Sequence, residues 1–222
     1  MYKLFFKRFI DIICGIFGCL AFAVAFIFVA PAIYFTDRGP IFYNATRRGK
    51  DGKSFKMYKF RSMMVNAPDL KSADGSTYNG EDDPRVTKIG KIMRKTSIDE
   101  LPQFINVLKG DMSMIGPRPT LATKPFEQVD KTYIKRYEVR PGITGYSQAY
   151  FRNSITQNEK FQHDCYYVDN LSFVMDIKII FATVISVLRK KNIFVEQPLA
   201  TTVDKVSENA VQQICSFYVI HL

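Results

Sequence analysis

"IICGIFGCLAFAVAFIFVAPAIYF", residues 12–35, is the stretch that decides the fold, because it carries no charged side chain along its whole length. A helix of that length can reach across a hydrocarbon core about 30 Å thick. A cleaved signal peptide is disfavoured, because its apolar region is usually shorter and ends at a small-residue cleavage site. The stretch therefore predicts a helix that enters a membrane.

Basic residues flank this helix on both sides, and the flanking set is Lys3, Lys7 and Arg8 before it and Arg38, Arg47 and Arg48 after it. Either orientation of a spanning helix would leave a basic flank outside, against the preference of Lys and Arg for the cytoplasmic side. Pro31 removes a backbone hydrogen bond and clashes with the carbonyl of Ile27, which permits a bend. We predict a re-entrant helix that breaks at Ala30 and Pro31. A span with its N-terminus outside stays open, and both alternatives put the rest of the chain in the cytoplasm.

The chain as a whole is basic. Its 222 residues include 31 Lys and Arg against 21 Asp and Glu, a formal charge of +10. This excess predicts an anionic partner, which on charge alone is nucleic acid, phospholipid or a phosphorylated substrate. The four cysteines form no CxxC pair and the two histidines have no partner motif. A disulfide framework, a zinc site and a Ser/His triad are therefore disfavoured.

A basic β-hairpin is predicted after the apolar helix. Residues 40–47 and 54–63 alternate as two strands do, and "GKDGK" at 49–53 supplies the turn. Between residues 38 and 61 there are eight basic side chains and one acid. Anionic lipid headgroups would favour each cation by about 1 kcal/mol, so we expect the hairpin at the membrane surface.

The rest of the chain alternates irregular segments with short helices. Residues 66–84 are rich in turn formers and acids, which is typical of a flexible loop that acts as a lid. Apolar residues recur every three or four positions in 87–95, 101–109, 124–137 and 156–170, which predicts four amphipathic helices. Residues 172–191 predict a buried or interfacial helix. The fold class is α+β, mostly helical, with the re-entrant helix, the small hairpin and short interfacial amphipathic helices.

"TSIDELPQF", residues 96–104, places two acids side by side. Ser97 and Glu100 have the spacing of a capping box, and Asp99 as N-cap would put Pro102 harmlessly in the first turn. Neither cap explains why the pair lies between Arg94 and "KGDMSMIGPRPT", a segment whose glycines, prolines and arginine could form a phosphate pocket. On spacing alone, capping and catalysis both stay open.

Four stretches of the chain carry a resemblance to a known family: "RGPIFY", "FKMYKFRSM", "DPRVTKIGKIMRKTSIDELPQFINVLKGDMSMIGPRP" and "VRPGITGYSQ". From about residue 7 to about residue 191, the chain resembles the bacterial sugar transferases, monotopic phosphoglycosyl transferases that load the first phosphosugar onto polyprenyl phosphate. The resemblance implies a UDP-sugar donor, usually undecaprenyl phosphate as acceptor, and Mg²⁺ as cofactor. It also implies a role at the start of a surface glycan pathway, such as exopolysaccharide, capsule or glycoprotein synthesis.

The resemblance implies roles for individual residues as well. Asp99 is the expected nucleophile, Glu100 its catalytic partner, and both are the expected metal ligands. Arg94 is assigned to the phosphate of the lipid acceptor and Arg118 to the nucleotide side of the donor. Two further arginines, in "VRPG" and "YFRN", are weaker candidates for substrate binding, namely Arg140 and Arg152.

The implied chemistry accounts for these residue types. A carboxylate attacks the phosphorus next to the sugar only if the negative charge of the diphosphate is neutralised, which requires a metal ion and arginines nearby. UMP would leave, and the phosphosugar would stay on Asp99 as an acyl phosphate. Polyprenyl phosphate would then displace the aspartate. Mg²⁺ prefers the oxygen ligands that Glu100 offers.

Two other classes of function remain open. A membrane-anchored basic module could recruit anionic lipid or nucleic acid, although it would gain nothing from an acid pair among its cations. A hydrolase would use the same aspartate with water as acceptor. The transferase prediction excludes nucleic acid as a partner and includes membrane lipids. The sugar and the oligomeric state are not predicted.

The chain departs from the usual family pattern at two places: its hairpin turn reads "RRG", and Ala30 stands where a serine often precedes the proline. The second departure bears on the predicted helix break. We divide the chain into a membrane-inserted helix (1–37), a catalytic domain facing the cytoplasm from the inner membrane (38–191) and a C-terminal tail (192–222).

Overall fold

The computed structural model describes residues 2–70, 78, 80–152 and 154–189. The described helices are α1 Lys7–Asp37, α2 Lys88–Thr96, α3 Gln103–Lys109, α4 Tyr146–Tyr150, α5 Gln157–Asp169 and α6 Phe173–Leu188. The described strands are β1 Ala45–Arg48, β2 Ser54–Met57, β3 Ser113–Ile115, β4 Thr120–Leu121 and β5 Gly142–Thr144. A π-helical segment, Tyr2–Phe6, precedes α1, and 3₁₀ segments lie between several of the other elements. The predicted mostly helical α+β class with a small sheet is confirmed.

Helix α1 is 31 residues long and, by length and composition only, could cross a membrane. It runs through Pro31 as one continuous helix and ends where Arg38 adopts a left-handed conformation, with φ of 52°. Most of its apolar side chains are exposed. The apolar helix is therefore present as predicted, and the re-entrant bend at Ala30 and Pro31 stays a prediction.

One stripe of α1 packs along the rest of the domain. Gly18 allows α3 to approach closely, because a Cβ there would lie 2.0 Å from Cδ1 of Phe104. Further along the helix, Phe22 and Phe26 pack against Phe60, which is fully buried. The helix thus contributes to the domain's core while its opposite face stays apolar and exposed.

Both ends of α1 are tied to the domain by ion pairs. Near its N-terminus, Lys7 Nζ lies 2.7 Å from Asp176 Oδ2 on α6. At its C-terminus, Asp37 accepts two hydrogen bonds of 2.5 Å from the guanidinium of Arg61. The bidentate Arg61–Asp37 pair is strong and directional, and together with the Lys7–Asp176 ion pair it holds the helix along the domain.

The predicted hairpin is confirmed, but its strands are shorter than predicted. Strands β1 and β2 pair antiparallel from Ala45 opposite Met57 to Arg48 opposite Ser54, and Phe42 and Phe60 form an isolated bridge beyond them. At the turn, Asp51 and Gly52 have φ of 54° and 74°. Strand β4 extends the sheet on the other side of β1, and β3 pairs in parallel with β5. These additional strands have two or three residues, too few for an alternating pattern to be recognised.

Four of the five predicted helices after the hairpin are present as α2, α3, α5 and α6, with ends shifted by a few residues. The single amphipathic helix predicted over 124–137 is wrong, because the segment forms a short 3₁₀ turn, Phe126–Gln128, and an eight-residue 3₁₀ helix, Lys131–Glu138. Extended residues break the helical path between them: Val129 has ψ of 138° and Asp130 has ψ of 120°. Asp130 also accepts a hydrogen bond from the backbone N–H of Thr132, which begins the second turn.

Residues 66–85 belong to a second compact unit. In its described part, Arg85 forms an ion pair of 2.8 Å with Asp83 and donates to the carbonyls of Pro68 and Tyr78. The predicted lid falls partly, and the predicted tail wholly, outside the described residues. The division into three domains stays a prediction.

Candidate active site

The acid pair lies in a 3₁₀ turn, Ile98–Glu100, between α2 and α3. Ser97 precedes it in a left-handed conformation, with φ of 58°, and its side chain makes no capping hydrogen bond. Helix α3 begins after Pro102, again without a side-chain cap. Neither predicted cap forms, so the capping interpretation of the two acids is wrong and their carboxylates are available for another role.

The carboxylates of the pair meet at a lysine from the hairpin. Lys59 Nζ lies 2.8 Å from Asp99 Oδ2 and 3.3 Å from Glu100 Oε1. Asp99 is almost fully buried, whereas the side chain of Glu100 keeps about a fifth of its surface exposed. Sequence reasoning assigned Lys59 only to the basic hairpin, and its role at the acid pair was missed.

These positions perturb the three ionisable groups in different directions. Burial raises the pKa of Asp99, which Lys59 opposes. Burial would also raise the pKa of Glu100, but Lys59 and Arg118 together lower it below its ordinary value. Burial disfavours the ammonium of Lys59, yet the two carboxylates outweigh it and raise its pKa. The lysine therefore stays charged and keeps two adjacent acids compatible with a buried site.

Backbone contacts hold Lys59 against the acid turn. The N–H of Phe60 donates to the carbonyl of Asp99 over 3.0 Å, and the N–H of Tyr43 donates to the carbonyl of Lys59 over 2.8 Å. On α3, the buried amide of Asn106 accepts from the N–H of Tyr58 and donates to the carbonyl of Lys56. The hairpin end is thus fixed from both sides, which positions the ammonium group.

The structure brings three of the four predicted arginines near the acid pair. Arg118 Nη2 lies 3.6 Å from Glu100 Oε1. Arg94 donates to the Ser62 hydroxyl over 3.0 Å and is close enough to help lower the pKa of Asp99. Arg152 is held with φ of 51°, and burial lowers its pKa while Glu100 acts against that shift.

The fourth predicted arginine, Arg140, is occupied elsewhere. Its Nε donates to the carbonyl of Gly110 over 2.8 Å, at the end of α3. Among the contacts of the described residues, none joins Arg140 to the acid pair. Its assignment to substrate binding stays a prediction, with a structural role already visible.

Arg47, at the end of β1, is a further cation that sequence reasoning did not single out. Burial and the nearby charge of Arg118 lower its pKa, while Tyr43 and Glu100 act in the opposite direction. Its Nε is buried and has no hydrogen-bond partner among the described residues. Arg47 is half-buried and Arg118 is largely exposed, so these two cations beside Glu100 could contact an anionic ligand.

A buried network supports the loop that carries Arg118. Arg136 donates to the carbonyl of Arg118 over 2.8 Å and forms an ion pair of 2.6 Å with Asp164. Asp164 also accepts from the hydroxyl of Ser147 on α4, near Arg152. Asp164 thus links two of the segments that carry arginines.

The acid pair fits Mg²⁺ held jointly with a substrate. Among the described residues, no group of three or more His, Cys, Asp or Glu side chains could hold a metal ion alone. Mg²⁺ is commonly bound by one or two carboxylates together with substrate phosphates and water. Asp99 and Glu100 supply that donor set, and the surrounding cations suit a phosphate-bearing ligand.

A family model described as "Bacterial sugar transferase" matches residues 2–190. The chain belongs to the bacterial sugar transferase family. The match covers the apolar helix, the hairpin, the acid pair and α6. The family predicted from the sequence is confirmed.

Several curated relatives of this sugar transferase carry informative names. It is 45% identical over 190 residues to the galactosyl transferase CpsE of Streptococcus agalactiae serotype III (strain NEM316), covering 82% of this chain and 42% of that protein. It is 39% identical over 194 residues to the exopolysaccharide production protein PSS of Rhizobium leguminosarum bv. phaseoli, covering 83% and 96%. It is 41% identical over 185 residues to the UDP-glucose:undecaprenyl-phosphate glucose-1-phosphate transferase of Escherichia coli (strain K12), covering 80% and 39%. The chain thus spans less than half of the first and third of these proteins.

Proposed function

We propose that this sugar transferase moves a sugar phosphate from a UDP-sugar to polyprenyl phosphate, undecaprenyl phosphate in particular, and so initiates synthesis of an exopolysaccharide or a related surface glycan. The observation that carries the proposal is the buried Asp99 beside Glu100, with Lys59 between their carboxylates and arginines around them. The names of the Escherichia coli and Rhizobium relatives support the substrates and the pathway class.

In the first step, a carboxylate oxygen of Asp99 attacks the phosphorus next to the sugar. The bond from that phosphorus to the bridging oxygen breaks, and UMP leaves with the electron pair. Arg118 and Arg47, beside Glu100, balance the charge of the diphosphate. The guanidinium group presents paired donors that match phosphate oxygens, which orients the donor for attack.

The cations around the acid pair have distinct tasks. Lys59 holds the two carboxylates and favours the ionised form of Asp99, the form that attacks. Mg²⁺, held by Asp99 and Glu100 when bound, would supply further neutralisation of the diphosphate.

In the second step, an oxygen of polyprenyl phosphate attacks the phosphorus on Asp99. The bond between that phosphorus and the carboxylate oxygen breaks, which regenerates Asp99 and forms the lipid diphosphate sugar. Arg94, one turn before the acid pair and bonded to Ser62, binds the acceptor phosphate. Because the energy of the donor is kept in an acyl phosphate, the lipid-linked product retains a diphosphate bond.

We also propose that α1 is re-entrant and that the enzyme faces the cytoplasm from the inner membrane. Ion pairs tie both ends of α1 to one domain, through Lys7 and Asp37. A span would carry the domain packed along α1 into the bilayer, with its buried charges. A re-entrant helix that stays in one leaflet avoids the free-energy cost of placing those charged and polar groups in hydrocarbon. It also places the exposed apolar stripe of α6 at the lipid surface, with Phe173, Phe181, Val184 and Leu188 outward.

The proposal is tested by incubating the purified full-length protein with a panel of UDP-sugars and measuring UMP, with and without undecaprenyl phosphate. Release with one or a few sugars, together with formation of lipid-linked sugar, is the expected result. A binding module would release no UMP with any sugar. A hydrolase would release free sugar phosphate at the same rate without the lipid, and either outcome would refute the proposal.

A further inference from the structure

A cavity of about 340 Å³ lies between the end of α4 and the second half of α6. Apolar groups form much of its wall, including Phe151, Ala182 and Ile185, and two arginines reach it, Arg152 and Arg189. None of the steps described above uses this space. A cavity with apolar walls and cationic groups matches a ligand that has an apolar body and an anionic head.

One of the two arginines at the cavity interacts electrostatically with the acid pair. Arg152 lies close enough to Glu100 for the two charges to interact. The backbone of Arg152 is left-handed, with φ of 51°, which is uncommon for residues other than Gly, Asn and Asp. Such conformations concentrate at ligand sites. Arg152 follows directly on Phe151, so the apolar wall of the cavity and the cavity arginine that interacts with Glu100 are adjacent in the chain.

One side of the cavity meets the apolar surface of α6. Ile185 lines the cavity and is itself 47% exposed, in the same stripe as Phe181 and Leu188, which are 66% and 75% exposed. The cavity is therefore continuous with the surface that α6 would present to lipid. An amphiphile in the membrane could enter past Ile185 without crossing water.

We propose that this cavity binds the isoprene units next to the phosphate of the lipid acceptor, with Arg152 guiding the phosphate toward the acid pair. The inference rests on the proposed function and assigns a site to its second substrate. The apolar walls and the opening at the lipid-facing stripe suit a prenyl chain. A nucleotide sugar is polar along its length and would leave Phe151, Ala182 and Ile185 without apolar contacts.

The test fills the cavity from α6 and measures each substrate separately. Ala182→Leu and Ser186→Leu both add volume at the wall, and Val184→Leu adds a similar group on the exposed stripe outside it. Purified full-length enzyme in detergent micelles is assayed with undecaprenyl phosphate and with farnesyl phosphate. Two filling variants are used because one of them could impair folding, which the melting temperature of each variant reveals.

Both filling variants are expected to raise the KM for undecaprenyl phosphate by about tenfold or more and to leave the KM for the UDP-sugar within about twofold. The control Val184→Leu should change neither constant by more than about twofold. The KM for farnesyl phosphate should rise by the same factor, because the cavity would hold the isoprene units nearest to the phosphate.

Three results would overturn the inference. If folded filling variants raise only the KM of the UDP-sugar, the donor occupies the cavity. If they weaken binding to phospholipid vesicles but leave both KM values unchanged, a membrane phospholipid occupies it. If the KM rises for undecaprenyl phosphate but not for farnesyl phosphate, the variants affect the isoprene units far from the phosphate. An inactive wild type would instead refute the proposed function itself.

Discussion

The ammonium group of Lys59 lies 2.8 Å from the carboxylate of Asp99, although 40 residues separate them in the chain. The lysine comes from the end of the hairpin and the aspartate from a 3₁₀ turn, and the backbone bond from Phe60 to Asp99 holds the two segments together. Because Asp99 is buried, its charged form depends on a neighbouring cation. Lys59 therefore favours the charged form of Asp99, a role beyond the predicted contact with lipid headgroups.

Replacing the proposed nucleophile should abolish turnover without unfolding the protein. Asp99→Asn keeps the shape of the side chain but removes the nucleophilic oxyanion, so UMP release should fall by about 10³-fold or more. Mass spectrometry of wild type incubated with the donor should show a phosphosugar on Asp99. Asp130→Asn, at an exposed turn, is the matched control and should remain active. Near-normal UMP release by Asp99→Asn would show that the aspartate is not the nucleophile.

Removing the charge of Lys59 should leave two adjacent carboxylates, one of them buried, without the cation that lies between them. Lys59→Met should lower kcat by about 100-fold or more, and losing one partner of a buried ion pair costs about 3–5 kcal/mol of stability. Lys59→Arg should recover part of the lost kcat and part of the lost stability. Lys56→Met, on the exposed face of the same hairpin, is the control. Equal activity of the Lys56 and Lys59 variants would contradict a role at the acid pair.

Activity should require a divalent cation, because Mg²⁺ is commonly bound by one or two carboxylates together with substrate phosphates, and Asp99 and Glu100 offer those carboxylates. Complete removal of divalent ions with EDTA should reduce UMP release to background, and added Mg²⁺ should restore it. Mn²⁺ should also restore activity, since it accepts the same oxygen ligands. Full turnover in metal-free buffer would refute this expectation.

The N-terminus should lie on the cytoplasmic side. Lys3 is exposed, so Lys3→Cys gives a reporter, in a background in which Cys14, Cys19, Cys165 and Cys215 are replaced. A membrane-impermeant thiol reagent should label this cysteine only after lysis. Labelling in intact cells would establish a spanning helix with its N-terminus outside. Lys131→Cys, in the domain that both topologies place in the cytoplasm, reports whether the membrane was intact.

The aromatic contact between α1 and the hairpin should matter for stability. Phe60 is fully buried against Phe22, Phe26 and Phe42, so Phe60→Ala should destabilise the protein by about 3–5 kcal/mol. Phe35→Ala removes the same group from a side chain that is 79% exposed and should cost less than about 0.5 kcal/mol in detergent. Thermal unfolding of the two variants makes the comparison. Equal melting temperatures would show that α1 does not share the core.

The sequence alone determined the features that depend on residues close together along the chain. The uncharged run specified α1, alternation and a glycine turn specified the hairpin, and apolar spacing specified α2, α3, α5 and α6. The order of the motifs identified the family and drew attention to Asp99 and Glu100. Each of these signals lies within a few turns of chain, where helix and strand periods act directly.

Only the tertiary structure decided which distant groups meet. It brought Lys59 between the two acids, placed Arg47 beside Arg118, and turned Asp164 inward, and none of these positions follows from local periodicity. The tertiary structure also has two separate 3₁₀ segments where one helix was predicted over 124–137, and it adds the β3–β5 pair. The physical reason is that a side chain's charge and burial are set by segments tens of residues away, whereas a local pattern records only which face is apolar.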